Sequence, residues 1–248
     1  MSEDQILLWI IGFSLLGSIG ALAGAGLLLF FPENSRRNLV PHLISYATGT
    51  LLGAAFLGMI PAGLAQVPAD AVMITLLAGI VIFFAMEKFV LWRHCHDREC
   101  KVHGSAGPLI LVGDALHNFV DGAVIAAAFL TSIPLGITTA FAVIAHEVPQ
   151  EVGDFAILLD NGYERKQAIL LNSLSAAATL PGALLAYWWL DEMREAIPYI
   201  LALSAASFIY IAIADLIPGL HRRVTFSSAL CQLVLLLAGI GTIAFFHA

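Results

Sequence analysis

The chain is poor in charge. Only 12% of its 248 residues are Asp, Glu, Lys or Arg, against 60% that are hydrophobic, and the mean hydropathy is +0.90. A soluble domain this apolar would precipitate, which excludes an ordinary water-soluble fold. Basic residues are scarce, 11 in all, and they form no patch of the kind that nucleic acid requires. The net charge of −7 says little about partners, because little surface is left to meet water. Cysteine is scarce as well: Cys95, Cys100 and Cys231 are scattered, which argues against a disulfide framework. The opening Met1-Ser2-Glu3-Asp4 lacks the positive charge of a cleaved signal peptide, so the first apolar segment is expected to stay in the chain.

Long apolar runs are what the chain has in quantity. Eight stretches, near 5–31, 41–66, 70–92, 108–130, 134–159, 167–190, 196–219 and 226–247, reach the length of about 20 residues that a spanning helix needs. Backbone polar groups in hydrocarbon must be satisfied within the segment, and these runs are continuous rather than alternating, so they read as helices and not as barrel strands. The expected fold is an all-α integral membrane protein of eight transmembrane helices, one domain over 1–248, with the lipid bilayer as its surroundings. Basic residues orient it. Arg36-Arg37, Arg93, Arg98, Lys101, Arg165-Lys166 and Arg222-Arg223 follow segments one, three, five and seven, and Lys88 sits at the inner end of the third. Only Arg194, among Asp191, Glu192 and Glu195, lies opposite. Ten of eleven basic residues on one side is a strong positive-inside pattern, and it puts both termini outside.

Smaller features punctuate the segments. Gly20-x-x-x-Gly24 is a helix-packing spacing in the first, and Pro61 is expected to kink the second. Asp215, near the inner end of the seventh, either pairs with Arg222 or Arg223 or lines an exit path. The sizeable loop, about 93–107, gathers His94, His96 and His103 with Cys95, Cys100 and two acids. Imidazole and thiolate suit zinc, yet the spacing matches no closed structural zinc site. A weak cytoplasmic metal relay and a solvated polar loop both remain open.

The fourth and fifth segments carry the chemistry. Ionisable groups at bilayer depth cost about 2.5–3.5 kcal/mol each on insertion scales, so a functional reading is the default. In the fourth, Asp114, His117, Asn118 and Asp121 stand at i, i+3, i+4 and i+7, one polar stripe on an apolar helix. In the fifth, His146 and Gln150 share one ridge, Glu147 and Glu151 the next, and Asp154 continues the polar face. Pro149 removes a backbone donor, so a bend is expected there. The short link Thr131-Ser132-Ile133-Pro134 makes the two helices antiparallel neighbours, and each motif lies midway along its helix, so the stripes meet at one depth. Pairing the ridges gives a first site of His117, Asp121, His146 and Gln150. A second holds Asn118, Glu147 and Glu151, with Asp121 or Gln150 shared. Nitrogen and oxygen ligands suit Zn²⁺ and would also take Fe²⁺, Mn²⁺ or Cd²⁺, whereas Cu(I) would want thiolate. Nothing in the pattern points to an organic cofactor.

Through His117-Asn118-Phe119-Val120-Asp121-Gly122 and His146-Glu147-Val148-Pro149-Gln150-Glu151 the chain resembles the ZIP (ZRT/IRT-like) family of divalent metal transporters. Members carry H-N-x-x-D-G on the fourth helix and H-E-x-P-x-E on the fifth. The flanks Gly113-Asp114-Ala115-Leu116 and Val152-Gly153-Asp154-Phe155 look similar too, most like the branch with intracellular zinc-release transporters and short bacterial relatives. The resemblance covers the whole chain. It implies a binuclear site between helices four and five, alternating access by one helix group sliding against another, a frequent homodimer and, for a bacterial member, the inner membrane. Carried over, His117, Asp121, His146 and Gln150 form the main site, and Asn118, Asp121, Glu147 and Gln150 border the second. The chain departs from many members in having Gln150 where they have His or an acid, and in offering only Asn172, Ser173, Ser175 and Thr179 where some add a glutamate on helix six. Gly58 and Ala62 stand where relatives often have His and Glu, beside Pro61.

Two rival readings use the same residues. His146-Glu147-x-x-Gln150 resembles the H-E-x-x-H of an intramembrane metalloprotease, but Gln150 removes one zinc ligand and the stripe on the fourth segment is left unexplained. A metal sensor without transport would need extramembrane chain to carry its signal, and little is present. The expectation is therefore a transporter of divalent metal ions, not an enzyme.

Overall fold

The computed structural model describes residues 3–94, 106–221 and 225–247, and among these it is all helix, with no strand. The helices are α1 (Glu3–Leu29), α2 (Glu33–Gly53), α3 (Ile60–Leu64), α4 (Ala69–His94), α5 (Ala106–Thr131), α6 (Ile133–Asp160), α7 (Arg165–Ala176), α8 (Thr179–Glu192), α9 (Ile197–Tyr210), α10 (Ile217–Leu220) and α11 (Phe226–His247). Seven helical stretches of the described residues are long and apolar enough to cross a membrane. The fifth expected span is not among them. At 28 residues α6 has the length, but His146, Glu147, Gln150, Glu151 and Asp154 dilute its apolar character. On α4 and α11 most of the apolar surface is open, with Ile74, Leu77, Val81, Leu233, Val234 and Leu237 all exposed. Apolar exposure on that scale fits hydrocarbon surroundings rather than water.

Prolines meet the helices in two ways. Ahead of Pro61, the turn Ala54–Met59 widens to a π-helix, and ahead of Pro218 the turn Ile211–Leu216 does the same. A proline ring collides with the carbonyl four residues back, here Leu57 and Ala214, and a wider turn takes up that collision. By contrast α6 is one uninterrupted helix through Pro149. A break in the helix falls in the sixth span, at Ala177-Ala178 between α7 and α8.

Two groups of helices emerge from the packing. α5 lies along α8 and α1 along α6; α2 lies along α11 and α4 along α9. In a bilayer, lipid tails are as apolar as leucine, so helices are held by close van der Waals fit, and small residues allow it. Gly122 and Gly182 face each other across α5 and α8: a Cβ on Gly122 would strike the Thr179 carbonyl, and one on Gly182 the Phe119 carbonyl. Gly49 and Gly239 do the same for α2 and α11. The Gly20–Gly24 spacing also serves packing, with Gly24 seated on the Val148 side chain of α6. Between the groups Leu51, Met59, Ile125, Phe129, Leu135, Leu201 and Phe208 form a buried core.

Gly122→Ala is expected to cost about 1–3 kcal/mol, the usual range for overpacking. The check is a drop in the melting midpoint of the purified protein, against Gly12→Ala, whose added methyl meets open space.

Candidate metal centre

A single residue, Ser132, separates α5 from α6, and its side chain caps α6 by accepting from the Leu135 N–H at 3.3 Å. The tight reversal makes α5 and α6 antiparallel neighbours, so their polar turns face each other. Asp121, His146 and Glu147 are buried to 1–2% exposure, while the His117 side chain retains 22%.

Four side chains converge. His146 Nε2 lies 3.2 Å from Asp121 Oδ2, 3.2 Å from His117 Nε2 and 3.5 Å from Glu147 Oε1. His117 Nε2 lies 3.3 Å from Glu147 Oε1 and 3.8 Å from Asp121 Oδ2. Ligand atoms held about 2.0–2.2 Å from a tetrahedral ion lie about 3.3–3.6 Å from one another. The five separations given thus lie close to the spacing of ligand atoms around an ion of zinc's size. One hydrogen bond orients the cage. His146 Nδ1 is 2.9 Å from the Ala142 carbonyl oxygen. A carbonyl can only accept, so Nδ1 carries a proton, and Nε2 is the nitrogen turned toward the centre. The ring edge of Phe208, on α9, packs against His146 from the other helix group.

A second cluster sits one turn away, toward the N-terminal end of α5. One carboxylate oxygen from each of Asp114, Glu147 and Glu151 lies within 4.8 Å of the others, so Glu147 belongs to both clusters. Asp114 accepts from Asn118 Nδ2 at 3.1 Å, from Gln150 Nε2 at 3.1 Å and from the Ser175 hydroxyl.

Most residues singled out by sequence come together here, but grouped differently. His117, Asp121 and His146 meet as expected. Glu147, not Gln150, completes their set. Gln150 donates to Asp114, and Asn118 is held between Asp114 and the Thr179 hydroxyl at 3.0 Å. The expected grouping followed helix ridges. The observed one follows depth, because a step of three back along α5 matches a step of four forward along α6. Asp154 stands outside both clusters. His94 ends α4, and His96 and His103 lie outside the described residues, as do Cys95, Cys100, Arg222 and Arg223. The sequence offered only Asn172, Ser173, Ser175 and Thr179 where some family members add a glutamate. Asn172, Ser175 and Thr179 are hydrogen-bonding partners of the motif, with Asn172 donating to the Glu151 backbone carbonyl at 3.2 Å. Their signal was the placing of small polar residues at positions 172, 175 and 179 of an otherwise apolar span. A cavity of about 420 Å³ reaches the cage from between α2 and the 211–216 turn, lined by Ile44, His117, His146, Gln150, Asp215 and Leu216.

Removing Ser175 should loosen Asp114 without touching the four-residue cage. Outer-sphere partners of this kind are worth about 10–100-fold in metal affinity or activity. Ser175→Ala is expected to weaken metal binding within that range, with Ser175→Thr restoring it, as read by calorimetric titration.

Comparison with known proteins bears on this geometry. The ZIP Zinc transporter family model matches residues 92–247. Zinc transporter ZIP13 of Pongo abelii is 32% identical over 270 residues, covering 99% of this chain and 80% of that protein. Zinc transporter ZIP4 of Homo sapiens is 41% identical over 114 residues, which is 46% of this chain and only 18% of that longer protein. Zinc transporter ZIP10 of Danio rerio is 37% identical over 154 residues, covering 58% of this chain and 18% of that protein. The family consists of transporters rather than enzymes, so the protease reading of His146-Glu147 falls, in keeping with the place of Gln150 outside the histidine cage. Matched by the family model over most of its length and by ZIP13 over nearly all of it, the chain belongs to the ZIP zinc transporter family.

Proposed function

We propose that the protein moves divalent transition-metal cations, Zn²⁺ foremost, across a membrane toward the cytoplasm, and that the ion pauses in the cage of His117, Asp121, His146 and Glu147. The observation that carries this reading is the zinc-sized spacing of four ligand atoms, three of them on buried side chains, in an apolar bundle. The relatives' names supply zinc. With nitrogen and oxygen ligands and no thiolate, the cage would also accept Fe²⁺, Mn²⁺ or Cd²⁺.

In this proposal the chain is one membrane domain and α6 crosses as an eighth span. It packs against α1, α2, α5 and α11, so protein rather than lipid surrounds its polar residues. Both termini then lie outside, as the basic residues favour. The cavity at His117 opens beside Asp215, toward the basic side, which supports an exit path through that residue and an inward-facing state. Alternating access would move the group of α1 and α5–α8 against the group of α2–α4 and α9–α11, past the contact between His146 and Phe208. A homodimer in a bacterial inner membrane completes the proposal by family resemblance.

Proteoliposomes loaded with a zinc-sensitive dye test it. His117→Ala and Asp121→Ala are each expected to bring Zn²⁺ flux down to the protein-free background, and full flux in both would sink the assignment. Metal must displace protons from histidine and carboxylate ligands. Uptake is therefore expected to fall steadily as the outer solution is acidified, and an uptake that rises instead would contradict the cage.

A further inference from the structure

A second cavity, of about 340 Å³, lies between α1, α6 and α7 and is distinct from the one that reaches His117. Exposed Phe30 and Ile169 border it, so it opens on the apolar outer surface, and most of its wall is apolar. Its two ends are not. At one, Arg165 stands exposed at the start of α7, on the side where the basic residues gather. At the other are Glu151 and Asn172, both buried. Among the described residues, neither carboxylate oxygen of Glu151 accepts a hydrogen bond, and neither does Asn172 Oδ1, whose amide nitrogen is engaged by the Glu151 backbone carbonyl. Buried acceptors left in this state lack the donor that burial demands. Asn172 follows Arg165 by seven residues of α7, a rise of about 10.5 Å, so the cavity is elongated, with positive charge at its mouth and bare acceptors at its floor. Gly26 keeps the space between them open, since a Cβ there would meet nothing within 4 Å.

We propose that this cavity holds the head group of a primary-amine phospholipid, with its ammonium at Glu151 and Asn172, its phosphate at Arg165 and its acyl chains outside in the bilayer. A primary ammonium brings N–H donors alone, and the floor offers acceptors alone. A guanidinium matches the geometry of a phosphate, and its flexible stem can lie along the apolar wall of Phe155 and Ile169 to reach inward. The neighbouring Glu164 is engaged in the capping box of α7, and Lys166 adds a second positive charge at the mouth. Other occupants leave part of the site unmet. An acyl chain would cover the bare acceptors with hydrocarbon. An anionic lipid without an amine would satisfy Arg165 only. A metal ion entering here would meet the Arg165 charge first and then a stretch of wall without ligands. The amine also brings positive charge to a cluster in which Asp114 and Glu147 each set a carboxylate oxygen within 4.8 Å of one on Glu151. The lipid thus steadies the acids behind the cage from the bilayer side and leaves the path past His117 clear.

Native mass spectrometry of the purified full-length protein tests this, with phosphatidylethanolamine, phosphatidylcholine and phosphatidylglycerol of identical acyl chains added in turn. Phosphatidylcholine keeps the phosphate but has no N–H to donate, and phosphatidylglycerol keeps the phosphate but has no amine. Phosphatidylethanolamine is expected to be retained as one molecule per chain, about tenfold or more tighter than phosphatidylcholine, as charge-assisted hydrogen bonds to a buried carboxylate imply. Glu151→Gln should erase that preference, whereas Arg165→Ala should weaken the retention of all three lipids. Gly26→Leu should fill the cavity and exclude the lipid. Its side chain enters open space, so an unchanged melting midpoint in detergent is expected to show an intact fold. Equal retention of the amine and its trimethylated counterpart overturns the proposal, as does tighter retention of phosphatidylglycerol. A preference for phosphatidylethanolamine that survives both Glu151→Gln and Gly26→Leu puts the lipid elsewhere on the protein and overturns it too.

Discussion

Antiparallel packing of α5 against α6 governs the chemistry of this protein. The one-residue link at Ser132 leaves no freedom in how the two helices pair, so His117 and Asp121 must meet His146 and Glu147 near mid-helix. Groups so polar stay buried in an apolar bundle only by neutralising one another or a cation. The cage does this with one hydrogen bond to spare for orientation: the Ala142 carbonyl takes the His146 Nδ1 proton and turns the other nitrogen inward.

Around that pair, the bundle supplies fit on one side and looseness on the other. Glycines at 122 and 182 let α8 press against α5 closely enough for Thr179 to reach Asn118, and the break at Ala177-Ala178 lies beside Ser175, which holds Asp114. The same close approach recurs at Gly49 and Gly239 in the other helix group. The two π turns fall in that second group, before Pro61 and Pro218, and one of them lines the cavity that opens on His117. Rigid crossings within each group and widened turns along their seam form a division that suits motion of one group against the other.

Much of this could be read from the residues in order. Continuous apolar runs marked the helices, and the one run that falls short on apolarity, α6, does so because it carries the motif. The helical spacing of Asp114, His117, Asn118 and Asp121 announced a polar stripe. Pairing across the interface was not legible at Gln150, whose amide donates to Asp114. On a helical wheel it shares a ridge with His146, but ridge membership says nothing of which partner stands opposite. Pro149 lies inside a continuous helix. A missing backbone donor permits a bend, and packing against α1 at Val148 and α5 decides the path of the helix.

The sequence by itself determined the membrane character, the helical class and the polar side chains carried by the fourth and fifth segments, because hydrophobicity and helical period are local properties that survive without knowledge of neighbours. Only the tertiary structure decided which of these side chains stand together. That choice depends on the relative depth and rotation of two helices, set by the Ser132 turn and the close glycine contacts, and it puts Glu147 in the cage, Gln150 on Asp114 and Ser175 behind them both.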